Sequence, residues 1–64
     1  MVKLHQGEWY VTRQNRKAVC VKASRRHVDA WLVRHEDGTF YVHSPDGTVL
    51  FSRDHARDVV KVAL

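Results

Sequence analysis

The stretch WLVRHEDGTFYVHSPDGTVLF, residues 31–51, carries the decisive local signals of this chain. It contains two Asp-Gly pairs, Asp37-Gly38 and Asp46-Gly47, each set between runs of β-branched and aromatic residues. Asp-Gly supplies the positive-φ backbone of a tight turn, so the pattern predicts two consecutive β-hairpins. Strands are expected near residues 27–35, 39–44 and 48–51. Pro45 precedes the second turn, where a missing N–H does little harm. Two-residue turns at both pairs would set Val33 opposite Val42 and Val42 opposite Phe51. One sheet face then collects Trp31, Val33, Phe40, Val42, Val49 and Phe51, the expected core. The opposite, open face receives Leu32, Arg34, Tyr41, His43 and Leu50.

Working outward, residues 8–12 and 17–23 also read as strands, separated by the polar segment 13–16. A three-residue loop around Arg25 would place Val19 and Val21 on the core face and Ala18, Cys20 and Lys22 on the other. A two- or four-residue loop would reverse this and make the sheet apolar on both sides in places. The first arrangement is preferred because it keeps the core on one side. After Phe51 the period changes. Ala56, Val59, Val60 and Ala63 recur at helical spacing, with Arg53, Asp54, Arg57, Asp58 and Lys61 elsewhere on the wheel. Ser52 is a suitable N-cap, Asp54 and Lys61 suit the two ends of the helix dipole, and Phe51 could staple onto Ala56. The expected fold is therefore α+β: an antiparallel β-meander of four to five strands packed on one C-terminal α-helix. The alternative is a small curled β-barrel with a C-terminal helix.

Size restricts the rest. The 64 residues make a single compact domain, 1–64, with residues 1–7 a candidate for poor order. A chain this short buries only about 60% of its unfolded surface. Cys20 is the lone cysteine, so no internal disulfide can form, and a free thiol fits a reducing, cytoplasmic setting. No apolar run has the length to span a bilayer, and the first residues lack the apolar core of a signal peptide. The net charge is +4 and the pI about 9.7. Residues 1–34 hold eight cations against Glu8 and Asp29, a balance of +6, whereas residues 35–64 balance at −2. Such asymmetry points to a polyanion or an acidic protein as partner.

Catalytic arrangements are not evident. Five histidines, Cys20 and seven acids are present, yet there is no Gly-rich phosphate loop, no nucleophile turn and no acidic pair with a cleft. The chain is thus expected to be non-enzymatic, with no small-molecule substrate and no cofactor. His27, His35 and His43 recur every eight residues, but the two-residue turns put His35 and His43 on opposite faces, so no metal site is expected. Cys20 reads as a small buried hydrophobe.

The open face is the better candidate. Tyr41, Arg34, His43, Leu32 and Leu50, joined by Lys22, mix rings, apolar surface and positive charge, the combination that holds single-stranded nucleic acid. The loops at 13–17 and 24–27 could add phosphate contacts, with Arg25 and Arg26 the cleaner cationic patch because Arg16 and Lys17 share their end with Glu36 and Asp37. The expectation is a small basic binding module for nucleic acid or a nucleic-acid-handling protein. The alternative is a protein-binding inhibitor or adaptor, as in phage- or plasmid-type accessory proteins, that uses the same face or a sheet edge and could form a homodimer.

Overall fold

The computed structural model describes residues 2–63. Its elements are β1 (Trp9–Thr12), β2 (Lys17–Ala23), β3 (Trp31–His35), β4 (Phe40–His43), a 3-10 turn at His55–Arg57, and β5 (Val59–Val62). All five strands form one antiparallel sheet in the order β4-β3-β2-β1-β5. The first four are a simple meander. The fifth returns to the free edge of β1.

The turns decide the register. His35 N–H donates to Thr39 O at 2.8 Å, and Gly38 N–H donates back to His35 O at 2.9 Å. The loop is thus Glu36-Asp37-Gly38, three residues, with Gly38 at φ +89°. The next turn repeats this geometry: Ser44 pairs with Thr48 around Pro45-Asp46-Gly47, and Gly47 sits at φ +96°. The β1–β2 turn, 13–15, is built alike, with Asn15 at φ +64°. Three-residue loops of this kind end in a left-handed residue. The two Asp-Gly-Thr repeats explain the choice. Asp37 Oδ1 accepts from Thr39 N–H at 3.1 Å, and Asp46 Oδ1 from Thr48 N–H at 3.0 Å, so each carboxylate holds the backbone two residues on.

One extra loop residue slips the β3–β4 pairing by one position, and a one-residue slip exchanges the faces. Trp31 pairs with His43, Leu32 with Val42, Val33 with Tyr41 and Arg34 with Phe40. The core face therefore carries Trp31, Val33, His35, Tyr41 and His43. Phe40, expected inside, stands 54% exposed outside. The β2 preference is reversed as well. Cys20 pairs with Val33 and Ala18 with His35, and both Ala18 and Cys20 are fully buried, while Val19 lies opposite Arg34 on the outer face. Strand β3 begins at Trp31 rather than residue 27, which lengthens the β2–β3 loop, and a bulge at Val21 adds a further shift. Of the expected strand at 48–51, only a bridge from His43 to Val49 forms, and Phe51 turns away at φ +60°.

The expected C-terminal helix is absent among the described residues, and with it goes the α+β class in both of its forms. The protein is all-β. Val59, Val60 and Val62 are β-branched and suit a strand. A lone helix of about twelve residues would be marginal, whereas a strand here satisfies the open edge of β1. Val62 pairs with Tyr10, Lys61 with Val11 and Val59 with Thr12. Arg13 N–H also donates to Asp58 O at 2.8 Å, and Ala63 N–H to Trp9 O at 3.0 Å. Ser52 caps no helix; its Oγ accepts from Asp54 N–H within a bend.

The sheet curls instead of lying under a helix. Val59 N–H, at the start of β5, donates to Gly47 O just beyond β4, so opposite edges of the sheet approach at this corner. The core is Leu4, Tyr10, Ala18, Cys20, Val33 and Val59, with Val2 and Trp31 packed against it. Leu4, 2% exposed, arrives from the N-terminal segment, held by its N–H to Pro45 O at 2.9 Å. The Tyr10 hydroxyl accepts from His5 N–H at 2.8 Å and donates to Lys3 O, fixing the same segment.

Candidate binding face

The outer face of the sheet follows from the strand pairing. Trp9 pairs with Val19, Val19 with Arg34, and Arg34 with Phe40, so one row crosses β1, β2, β3 and β4. A second row runs Lys22, Leu32, Val42, and a third places Lys17 and Lys61 on either side of Val11. The indole of Trp9 is 50% exposed, and with Phe40 it leaves two large rings in solvent at the ends of the first row. A shallow recess of about 250 Å³ lies along this row, lined by Trp9, Lys17, Val19, Arg34 and Glu36. A groove of about 470 Å³ continues from the second row, lined by Lys22, Arg25, Arg26, Leu32 and Val42. At its end the Arg26 guanidinium lies 4.5 Å over the Phe51 ring, which His27 meets edge-on.

The ion pairs among the described residues lie away from this face. Arg57 binds Asp37 at 2.9 Å and Asp54 at 3.2 Å, and it lies 4.7 Å over the Tyr41 ring. Arg13 and His55 both approach the buried Asp58 carboxylate. The Arg57 guanidinium, with help from Thr39, holds the Asp37 carboxyl well below the usual range. Among the described residues, Lys17, Lys22, Arg25, Arg26, Arg34 and Lys61 join no ion pair. Asp37, Asp54 and Asp58 are paired away from this face, whereas Glu36 stays at the edge of the recess, where its Oε2 accepts from Lys17 N–H at 3.2 Å.

Lys22, Leu32 and Arg34 stand on the open face as expected, and Arg25 and Arg26 border the groove beside them. Tyr41 and His43 do not. Tyr41 is half-buried on the core side, edge-on to His35 at 5.1 Å, and His43 is fully buried. Leu50 is half-buried after the second turn, its N–H donating to Val42 O at 2.7 Å. Trp9, Val19, Phe40, Lys17 and Lys61 were not expected here. The Asp-Gly-Thr repeats were the available signal, because a three-residue turn sends Phe40 and Arg34 outward together.

The same slip brings His35 and His43 into contact on the core face, where opposite faces were expected. Their Nε2 atoms are 3.0 Å apart and their rings stack at 5.1 Å. His43 Nδ1–H donates to Gly47 O at 2.8 Å, which leaves its Nε2 lone pair to accept from His35 Nε2–H. His35 Nδ1 then has no hydrogen-bond partner among the described residues. Burial first, and the neighbouring imidazole and Arg57 next, push His35 down to about 4, and burial likewise lowers His43. Two neutral imidazoles fill this corner. Among the described residues no three His, Cys, Asp or Glu side chains gather in a way that could hold a metal ion. Cys20 is buried, and the apolar surroundings push its thiol up to about 11, the inert state of a packing residue. Among the described residues no helix is long and apolar enough to cross a membrane. No known protein family, curated protein or solved structure matches the chain.

Proposed function

We propose that this chain is a small, non-catalytic module that binds nucleic acid through the outer face of its sheet, extended by the Arg25-Arg26 loop. The observation that carries the reading is that Lys17, Lys22, Arg25, Arg26 and Arg34, which join no ion pair among the described residues, line the two recesses of one surface against a single acid, Glu36. Cations on such a face release the counterions condensed on phosphates, which supplies affinity at low salt. The lone buried thiol accords with a cytoplasmic setting.

Fluorescence anisotropy of labelled oligonucleotides between about 50 and 200 mM salt tests this directly. Affinity should fall steeply with salt. Lys22→Ala/Arg34→Ala and Arg25→Ala/Arg26→Ala should each weaken binding and flatten the log–log slope by about 0.7–0.9 for every phosphate left without its cation. Absence of binding at the lowest salt sinks the proposal. A second reading, a protein partner or a second copy of this chain at the β5 edge, is favoured by the exposure of Val60 and Val62, 41% and 46%. Sedimentation equilibrium of the native chain against Val60→Lys distinguishes it, since only edge pairing would be lost in the variant.

A further inference from the structure

We propose that the face takes single-stranded nucleic acid, with one base stacked on Trp9, another on Phe40, and the phosphate between them on Arg34. This rests on the nucleic-acid reading above and narrows it to one class of ligand and one set of contacts. The geometry begins with the row itself. Trp9, Val19, Arg34 and Phe40 are successive cross-strand partners, so their side chains leave the same face in line. Adjacent strands lie about 4.8 Å apart, which puts the two rings roughly 14 Å from each other along the curved sheet. Both rings are about half exposed and, among the described residues, neither makes an aromatic or cation–π contact, unlike Tyr41 and Phe51, which each carry an arginine. Val19, between Trp9 and Arg34, is small enough to leave the recess open.

A duplex cannot use this arrangement. Its base faces are covered by their neighbours at about 3.4 Å rise, and only edges and phosphates remain for a flat protein surface. An unstacked strand offers base faces, and its backbone can extend over the gap between the rings. Rings accept any base, since each has a π-face, so the site should be tolerant of sequence. Arg34 stands between the two ring positions, without an ion-pair partner among the described residues, where a bridging phosphodiester would lie. The strand can then continue over Lys22 and Leu32 into the Arg25-Arg26 groove. There the Arg26–Phe51 stack is already formed.

The test uses the intact chain and an oligothymidylate of about eight nucleotides, within the usual site sizes for such platforms. In a Trp31→Phe background Trp9 is the sole indole, so stacking should quench its emission saturably. In the native background, anisotropy of the labelled oligonucleotide should show roughly tenfold or greater weakening for Trp9→Ala and for Phe40→Ala, from stacking worth about 1–3 kcal/mol per base. Trp9→Phe should retain most of the affinity. A duplex bound as tightly as the single strand, or unchanged affinity in Trp9→Ala, overturns the stacking inference while leaving salt-dependent binding intact. No binding of either form at low salt overturns this inference and the function it rests on.

Discussion

The buried histidine pair makes the stability of this domain sensitive to mild acid. In the folded chain His43 donates to Gly47 O and accepts from His35, so both rings are neutral, and protonating either one places a charge in a buried corner where no carboxylate hydrogen-bonds to either ring. The groups that face His35 are His43, Tyr41, Arg57, Asp37 and Asp54, and Asp58 acts on His43; Arg57 opposes a positive charge and the carboxylates only partly offset burial. His35 is held down to about 4 from an ordinary value of 6.5. Above 6.5 the folded and unfolded chains are both neutral here and the contribution is fully present. Between 6.5 and 4 the unfolded chain binds a proton that the folded one refuses, so stability falls as the pH falls. Below 4 both are charged and nothing further is lost from this group. The gap corresponds to about 3 kcal/mol, against a total of about 3–10 kcal/mol expected for a chain this size. His43 acts in the same direction. Urea denaturation followed by far-UV circular dichroism at several pH values from about 7 to 4 should show most of this loss. His35→Phe keeps a ring against Tyr41 and His43 but cannot titrate. Its absolute stability at neutral pH will suffer, because His43 Nε2 loses its donor, so the comparison is of slopes. A wild-type chain whose stability is flat from about pH 6.5 to 4.5, or a His35→Phe variant with the wild-type slope, would refute the reasoning.

Two glycines at similar positive φ should respond differently to alanine. At Gly47 a Cβ would meet Val59 O at 2.6 Å and Val59 Cβ at 3.0 Å, whereas at Gly38 nothing lies within 4 Å. Gly38→Ala should therefore cost about 1–2 kcal/mol from backbone strain alone, and Gly47→Ala clearly more, since it also breaks the Gly47–Val59 corner; equal losses in chemical denaturation would count against the corner as a structural tie. Tyr10→Phe removes the acceptor of His5 N–H and the donor to Lys3 O. It should cost about 1 kcal/mol and speed amide exchange at His5 and Leu4 ahead of the sheet, a pattern readable by hydrogen-exchange NMR.

Much of the sheet was legible in the sequence, because alternation and turn residues are local signals. The strands at 9–12, 17–23, 31–35 and 40–43 all lie within or close to the expected spans. The facing was not legible from the Asp-Gly pairs alone. Two- and three-residue turns both use Asp-Gly, and the discriminating interaction is the Asp carboxylate on the Thr N–H two positions on. The C-terminal error has a different origin. Ala56, Val59, Val60 and Ala63 fit a helical stripe, but Val59, Val60 and Val62 also fit a strand, and the choice is made by an unpaired β1 edge that local sequence cannot display. At the candidate site, Leu32 and Arg34 face as expected because β3 alternates cleanly, and Lys22 does so only because the bulge at Val21 separates it from the inward Ala18 and Cys20. Trp9 was missed since its facing depends on β1 pairing with β2, and Tyr41 and His43 were misplaced by the same slip that misplaced Phe40.

That slip ties the buried and the open faces together. The core face holds hydroxyls and imidazoles, Tyr10, Thr12, His35 and His43, each of which needs hydrogen-bond partners to be buried at acceptable cost. The outer face meanwhile holds Trp9 and Phe40, two of the largest apolar side chains in the protein, half in water. A two-residue turn at β3–β4 would turn Phe40 inward and Tyr41 and His43 outward, burying the larger apolar ring for a gain of about 1 kcal/mol or more. The Asp-Gly-Thr turns hold the other arrangement in place. A local rule set aside at a cost to stability is the pattern expected where a surface is kept for binding. The same turn that brings His43 against His35 inside sends Phe40 outside beside Arg34. The His35–His43 contact inside and the exposure of Phe40 outside therefore both trace back to the loop at Glu36-Asp37-Gly38, whereas Trp9 owes its facing to the β1–β2 pairing.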